Sequence, residues 1–190
     1  FTVTRPAGIE LWLTEASSAK ARRLGSFLLN AAYSDPVQWL PDSRQLLVQT
    51  IVPNRGAPPA EVQTPPGPTI QESSGRAGPV RTYQDLLKDQ HDEELFAYYC
   101  TSQMALVDVT SGQVTPVGKP ALYASVDVSP DGQHLLIVRT ERPYSYVVPA
   151  SRFPKTVEVW NIDGNHEFTL TTQPLADRIP IDGLPTGPRA

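Results

Sequence analysis

Two arginines lie beside aromatic residues in one short segment, residues 140–154 (TERPYSYVVPASRFP). Arg142 is separated from Tyr144 by one proline, and Arg152 is followed directly by Phe153. A guanidinium group can form two parallel hydrogen bonds with a carboxylate, and a tyrosine ring beside it can line the same site. These residues therefore indicate a candidate site for an acidic ligand at Arg142, Tyr144 and Arg152. The two arginines also suit ion pairs with Asp or Glu across an internal interface, and residue chemistry alone favours that structural role over the ligand site.

The residue types used in catalysis are present without the spacing that catalysis requires. No Gly-x-Ser-x-Gly motif occurs, so the serine nucleophile of an α/β-hydrolase is absent from the sequence. His91 lies in an acidic run (HDEE), but the His-x-x-x-His spacing of a helical zinc site is missing. Cys100 is the single cysteine, which excludes an internal disulfide. We therefore expect no catalytic residue, no metal and no cofactor in this chain, and no enzymatic activity of the chain alone.

A short pattern that occurs twice predicts the architecture. Residues 37–48 (VQWLPDSRQLLV) and residues 126–137 (VDVSPDGQHLLI) share valine, proline, aspartate and two leucines at an offset of 89. Each copy is typical of a strand, a Pro-Asp turn and a returning strand. Repeated hairpins of this kind are the inner halves of propeller blades.

Three further hairpins alternate with these two. Each has two partly apolar strands around a turn, and they cover residues 9–24, 104–117 and 157–170. Ser-Gly and Asp-Gly pairs at two of the turns supply the backbone freedom that tight hairpins need. The pattern predicts an all-β partial β-propeller of two to three four-stranded blades, with blade parts at 9–28, 36–118 and 120–172. A self-contained β-sandwich is the alternative that this pattern disfavours.

The first repeat carries an insertion, residues 53–99, between its second and third strands. Residues 53–80 are rich in proline and glycine and predict an extended surface loop. Residues 82–99 (TYQDLLKDQHDEELFAYY) predict a helix that begins at Thr82 with a capping-box-like Asp85, or two short helices broken near Asp89. Leu86, Leu87, Leu95, Phe96 and Tyr99 can share its apolar stripe.

The insertion and the segment 140–154 both follow the second strand of a blade. Connections at this point leave the sheet at the end opposite the Pro-Asp turns. We therefore expect both segments on one face of the propeller, which makes that face the candidate for function.

Composition limits the partners of the chain. The formal net charge of −4 over 190 residues gives no reason to expect nucleic-acid binding. No uninterrupted apolar stretch reaches the roughly 18 residues of a membrane span, so we expect no membrane partner. The sequence that follows Phe1 does not show the charged and then apolar segments of a signal peptide. We expect residues 1–190 to be a fragment of a longer N-terminal propeller domain. Exposed blade edges in such a fragment favour self-association.

Several long segments resemble the glutamyl endopeptidase branch of the prolyl oligopeptidase (S9) family of serine peptidases. They are residues 81–103 (RTYQDLLKDQHDEELFAYYCTSQ), 142–160 (RPYSYVVPASRFPKTVEVW) and 174–181 (PLADRIPI), with weaker matches at 9–12, 39–48 and 65–73. The resemblance implies an N-terminal β-propeller stacked on a C-terminal α/β-hydrolase domain. In this family a Ser-Asp-His triad of the hydrolase domain cleaves peptides, and the propeller restricts access to them.

The resemblance also implies a role for the arginines. None of the triad is present, so peptidase activity is implied only for a parent polypeptide that contains the absent hydrolase domain. Cleavage after glutamate needs a cationic pocket, and Arg142 is the preferred candidate, with Arg152 and Arg81 as weaker ones. Two alternatives remain open, namely a dipeptidyl or acylaminoacyl peptidase of the same family and a non-catalytic propeller that binds partners.

Overall fold

The strands form three antiparallel sheets in a computed structural model that describes residues 1–61 and 83–177. The first sheet contains β1 (Thr2–Arg5), β2 (Gly8–Thr14) and β3 (Ala21–Arg23) in that order. The central sheet contains β4 (Val37–Trp39), β5 (Gln45–Ile51), β6 (Ser102–Asp108) and β7 (Val114–Ala121). The last sheet contains β8 (Tyr123–Val128), β9 (His134–Thr140), β10 (Lys155–Asn161) and β11 (His166–Gln173). One helix, α1 (Gln90–Cys100), and a single 3₁₀ turn (Ala150–Arg152) complete the described elements.

The two predicted inner hairpins share one geometry. In the central sheet the Asp42 carboxylate accepts hydrogen bonds from the backbone N–H groups of Arg44 and Gln45, at 2.8 and 3.0 Å. In the last sheet Asp131 accepts from the N–H of Gln133 at 3.0 Å. Such Asx turns let the aspartate side chain replace a backbone acceptor. The register repeats as well, because Leu47 pairs with Leu106 and Leu136 pairs with Val159.

Both faces of the central sheet are buried, which is the arrangement of a propeller blade between its neighbours. Towards the first sheet, Leu46, Val48, Ala105 and Val107 pack with Leu11, Leu24 and Leu29. Towards the last sheet, Leu40, Leu47, Met104, Leu106 and Val117 pack with Tyr123, Leu135, Ile137 and Trp160. A two-layer sandwich would leave one face of each sheet to solvent. The predicted all-β partial propeller is therefore confirmed.

The first sheet contains one strand more than the sequence predicts. Residues 9–28 predict only an outer hairpin, but β1 pairs with β2 in an antiparallel register that joins Val3 to Glu10. The sequence of β1 (TVTR) has a single strongly apolar residue, so its pattern does not distinguish it from a loop. The sequence of residues 174–190 predicts a lead into a later blade, and of these only residues 174–177 are described.

The predicted start of the helix is wrong. Residues 83–89 are not helical, and Asp85 has a left-handed φ of +57°. The helix begins after Asp89, whose carboxylate accepts a hydrogen bond from the N–H of Asp92 at 2.9 Å. Only the second of the two short helices considered from the sequence is therefore present among residues 83–100. Thr82 and most of the Pro-rich segment fall outside the described residues. Within the described ranges, no helix is long and apolar enough to cross a membrane.

Candidate functional site

The two connections that follow the second strands meet at one end of the sheets, as predicted. Helix α1, from the connection after β5, packs on residues 141–154, from the connection after β9. Phe96 of the helix meets the rings of Tyr144 and Phe153 edge-on, with centroid distances of 5.2 and 5.8 Å. Tyr144 and Phe153 stack on each other at 5.2 Å and are both buried. We call this end, with α1 and residues 141–154, the helix end.

Arg142 lies at the surface of the helix end between a carboxylate and an aromatic ring. Its Nη1 donates to Glu93 Oε2 at 2.5 Å, and its guanidinium carbon lies 4.4 Å from the centroid of the Tyr144 ring. The Arg142 side chain is 55% exposed, whereas that of Glu93 is 16% exposed. The structure therefore contains the internal ion pair that residue chemistry favours, and it leaves the arginine accessible to a ligand in solution.

Glu93 organises a small charged cleft at this position. The cleft is lined by Gln90, Glu93, Glu94, Arg142 and Tyr146. A hydrogen bond with the Glu93 carboxylate raises the pKa of Tyr146, and burial raises the pKa of Tyr144. Both tyrosines are therefore neutral hydrogen-bonding groups at physiological pH, and charge in the cleft comes from the arginine and the glutamates. Such a cleft can bind a charged or polar group of a peptide, and we see no nucleophile paired with a base in it.

Arg152 lies apart from this cleft and contacts the chain that leaves β11. Its Nη1 donates to the carbonyl of Ala176 at 3.5 Å, and its own carbonyl accepts from the N–H of Ala176 at 3.0 Å. Its guanidinium lies 6.0 Å from the centroid of the Tyr83 ring. The structure thus brings Arg142 and Tyr144 together and places Arg152 at a different position of the helix end. Arg81 falls outside the described residues.

A further arginine of the helix end was missed by sequence reasoning. Arg55 lies 4.3 Å from the ring centroid of Tyr98 and 5.7 Å from that of Tyr99, and its Nη1 donates to the Tyr98 carbonyl at 3.2 Å. Tyr98 in turn donates its hydroxyl to the carbonyl of Gly56 at 2.7 Å. Considering residues 1–61 and 83–177, no Asp or Glu forms an ion pair with Arg55. Its position in a Pro-rich stretch carries no sequence signal for this role.

Among the residues that the structure describes, no three His, Cys, Asp or Glu side chains come together to hold a metal ion. Cys100, at the end of α1, is buried, and burial raises the pKa of its thiol to about 11.

Comparison with known proteins identifies close relatives. No family model matches the chain. A protein of Oryza sativa subsp. japonica named probable glutamyl endopeptidase, chloroplastic, is 46% identical over 177 residues, which cover 91% of this chain. Its namesake in Arabidopsis thaliana is 43% identical over 175 residues, which cover 90% of the chain. This chain is thus similar in sequence to these two probable glutamyl endopeptidases. The resemblance stated from the sequence is confirmed.

The chain spans about a fifth of the glutamyl endopeptidases that it matches, 19% of the rice protein and 18% of the Arabidopsis protein. Two solved structures also align with 90% of the chain. They are TolB from Acinetobacter baumannii, with 14% identity, a TM-score of 0.46 and 29% of its own chain covered, and the Pyrococcus horikoshii acylaminoacyl peptidase, with 17% identity, a TM-score of 0.46 and 22% covered.

Proposed function

We propose that this chain is the propeller section of a serine peptidase that cleaves after glutamate. The observation that carries the proposal is 43 to 46% identity to two plant glutamyl endopeptidases across nine tenths of the chain. The catalytic Ser-Asp-His triad then belongs to an α/β-hydrolase domain of the parent polypeptide. This section is a rigid β scaffold that binds and positions peptides without reacting with them.

The helix end is the surface that we assign to the hydrolase domain and the substrate. Two irregular segments cover the sheets there, and loops held on a rigid scaffold are where binding residues concentrate. Their aromatic cluster of Phe96, Tyr144 and Phe153 fixes α1 against residues 141–154. A stiff cover of this kind can exclude folded proteins from an active site and admit short peptides.

Arg142 is the residue that we assign to the glutamate side chain of the substrate. Its ion pair with Glu93 does not prevent this role, since the guanidinium group has five N–H donors and only Nη1 is bonded to Glu93. Glu93 and the Tyr144 ring orient the guanidinium, and a substrate carboxylate can take the remaining donors. The face of the Tyr144 ring lies against the Arg142 guanidinium and forms one wall of the site.

Cleavage of a peptide panel by the full-length parent enzyme tests this function. The peptides differ only at the residue before the scissile bond, with Glu, Gln, Asp and Ala. We expect the highest kcat/KM for Glu, and labelling of the parent by a serine-directed fluorophosphonate probe. The isolated 190-residue chain should show neither cleavage nor labelling. Equal cleavage after Glu and Gln would contradict glutamyl specificity, and an unlabelled parent would contradict serine peptidase function.

A further inference from the structure

Arg55 is a second arginine of the helix end, and neither described range supplies an acidic partner for it. Its guanidinium lies 4.3 Å from the centroid of the Tyr98 ring and donates through Nη1 to the Tyr98 carbonyl at 3.2 Å. That carbonyl is its one acceptor among residues 1–61 and 83–177. Because a guanidinium has five N–H donors, Arg55 retains donors for a carboxylate that this part of the chain does not provide.

The guanidinium of Arg55 is held in a fixed orientation. Tyr98 donates its hydroxyl to the carbonyl of Gly56 at 2.7 Å, so the tyrosine and the arginine segment are joined by two hydrogen bonds in opposite directions. Arg55 and Tyr98 are both half-buried, which shields the contact partly from water. An arginine that is already oriented loses less conformational freedom when it binds a carboxylate. Arg55 is therefore preorganised for such a ligand.

One stripe of helix α1 connects Arg55 with the cleft at Arg142. Gln90, Glu94 and Tyr98 are spaced by four residues, so their side chains follow one another along one face of the helix. Gln90 donates to Glu94 at 3.2 Å, as expected for neighbours on this face. Gln90 and Glu94 line the cleft, and Tyr98 holds Arg55. A peptide that lies along this stripe therefore passes both arginines.

The helix sets the spacing of the two positive charges. Arg142 is bonded to Glu93 and Arg55 to Tyr98, five positions further along α1. A helix rises about 1.5 Å per residue, so these two anchor points are about 7.5 Å apart along its axis. An extended peptide advances about 3.3 Å per residue, and its side chains point to the same side at every second residue. The two arginines thus match carboxylates on residues that are two positions apart.

Glu94 adds a negative charge between these two positions. Its side chain lies on the stripe between the cleft and Tyr98, and the residue is exposed. A ligand carboxylate placed there would be repelled, because like charges a few ångströms apart raise the energy even near water. The order of charges along the stripe therefore selects two separated carboxylates.

We propose that Arg55 binds a second acidic side chain of the peptide, two residues from the glutamate that Arg142 binds. The substrates of the parent enzyme are then peptides in which two acidic residues are separated by one other residue. This inference rests on the proposed function, since it takes the helix end as the substrate surface. It adds a binding site that cleavage after glutamate does not itself require.

Kinetics of the full-length parent enzyme on matched peptides test the proposal. Each peptide has one glutamate before the scissile bond and a Glu or a Gln placed one to four residues away on either side. Mass spectrometry of the products restricts the measurement to the intended bond. Glu and Gln have nearly the same shape, so the ratio of their kcat/KM values reports the charge. We expect a ratio of about five- to tenfold at a spacing of two residues on one side, and close to one at the other positions.

Substitution of Arg55 links this ratio to the structure. Arg55→Gln should bring the ratio close to one, without changing the preference for Glu over Gln at the cleaved position in peptides that have no second acidic residue. Arg55→Lys retains the charge without the planar group and should keep part of the ratio. Arg44→Gln is the matched control, because it removes the same charge from an exposed residue in the Asp42 turn, at the other end of the sheets. Circular dichroism confirms that each variant is folded.

Equilibrium binding separates this inference from the proposed function. Fluorescence anisotropy of the labelled peptides uses the full-length protein, pretreated with a small fluorophosphonate so that it does not cleave them. The same charge ratio in Kd at a spacing of two, lost in Arg55→Gln, would establish the Arg55 site even in a parent protein without glutamyl specificity. Conversely, cleavage after glutamate with no effect of a second acidic residue would leave the proposed function intact and overturn the Arg55 site.

Two further results would overturn the proposal. One is a charge ratio that is equal at all spacings or largest at a spacing other than two, which would indicate general attraction or a different arginine. The other is a ratio that persists in Arg55→Gln while kcat/KM falls equally for every peptide, which would mean that Arg55 only supports α1. If Arg55→Gln does not fold, the dependence on spacing in the unmodified enzyme still decides the first of these.

Discussion

The indole ring of Trp160 lies against Gly118, where the outer strand of the central sheet meets the last sheet. A Cβ atom on residue 118 would lie 2.4 Å from the Cζ3 atom of that ring. Gly118 also has a φ of +60°, a conformation that side chains disfavour. The two sheets therefore approach each other closely only because residue 118 has no side chain, and the burial of Trp160 depends on this contact.

The first prediction concerns this contact. Gly118→Ala should lower the free energy of unfolding by about 2 to 5 kcal/mol, as the sum of left-handed backbone strain and overpacking against Trp160. Gly112→Ala is the matched control, because Gly112 has a φ of +74° and nothing within 4 Å of a Cβ atom. Gly112→Ala should lower the free energy of unfolding only by the cost of the left-handed backbone conformation, about 1 to 2 kcal/mol. Urea denaturation of the isolated chain measures both, and equal losses would show that the contact with Trp160 is unimportant.

The second prediction is a pH dependence of stability that arises from Glu158. Burial works against ionisation of this carboxyl group, but hydrogen bonds from Arg139 and Trp160 outweigh it and lower its pKa below the ordinary value of 4.5. The folded chain then binds protons at Glu158 less readily than the unfolded chain does. The stabilisation is complete above about pH 4.5 and is lost as the pH falls through the lowered pKa.

Comparison with Glu158→Gln isolates this effect. Urea denaturation should show the original chain losing more stability than the variant between neutral pH and a pH well below 4.5. Asp108 and Asp131 also have lowered pKa values, but they are present in both proteins and do not affect the difference. Parallel pH profiles of the two proteins would contradict the assignment to Glu158.

The third prediction tests Arg142 in the full-length parent enzyme. A charge-assisted hydrogen bond contributes about 1.5 to 3 kcal/mol, so Arg142→Ala should lower kcat/KM for glutamyl peptides roughly tenfold or more. Glutaminyl peptides have the same shape without the charge, and their slower cleavage should change little. Steady-state kinetics on the two peptides measures the ratio. An equal fall on both peptides would indicate that the ion pair with Glu93 is structural and that Arg142 does not contact substrate.

Arg55→Ala provides a matched control for Arg142→Ala. It removes another arginine that is stacked on a tyrosine at the helix end, without touching the cleft. We expect the Glu to Gln ratio to be unchanged in this variant. A loss of the ratio here, with normal behaviour of Arg142→Ala, would move the glutamate-binding role to Arg55.

The fourth prediction concerns the reactivity of Cys100. Burial raises the pKa of this thiol from 9.0 to about 11, so at mildly alkaline pH its thiolate fraction is roughly a hundredfold below that of an exposed thiol. Iodoacetamide should label the folded chain at least that much more slowly than the urea-unfolded chain. Because the sequence has one cysteine, mass spectrometry reports this site alone. Rapid labelling of the folded chain would mean that the end of α1 opens readily.

Local information accounts for the parts of the fold that the sequence predicts correctly. The inner hairpins are recognisable because an Asp side chain closes the turn by accepting hydrogen bonds from the backbone N–H groups of residues that follow it, at Asp42 and again at Asp131. The predicted start of α1 is wrong because that prediction also used local information alone. Both Thr82 and Asp89 have the character of a helix cap, and packing of Phe96 against Tyr144 and Phe153 is needed to choose between them.

The sequence by itself determined the kind of sheet, the order of the hairpins and the relationship to the glutamyl endopeptidases, because these properties depend on residue types at fixed short spacings. Only the tertiary structure decided the partner of each charged group. Arg142 meets a glutamate 49 positions away, and Arg139 meets one 19 positions away. Such pairings depend on how separate strands and loops are brought together in space. Leu47 and Leu136 are the same residue at the same position of the repeated motif, yet Leu47 is buried against the last sheet and Leu136 is exposed. Only the tertiary structure shows this difference.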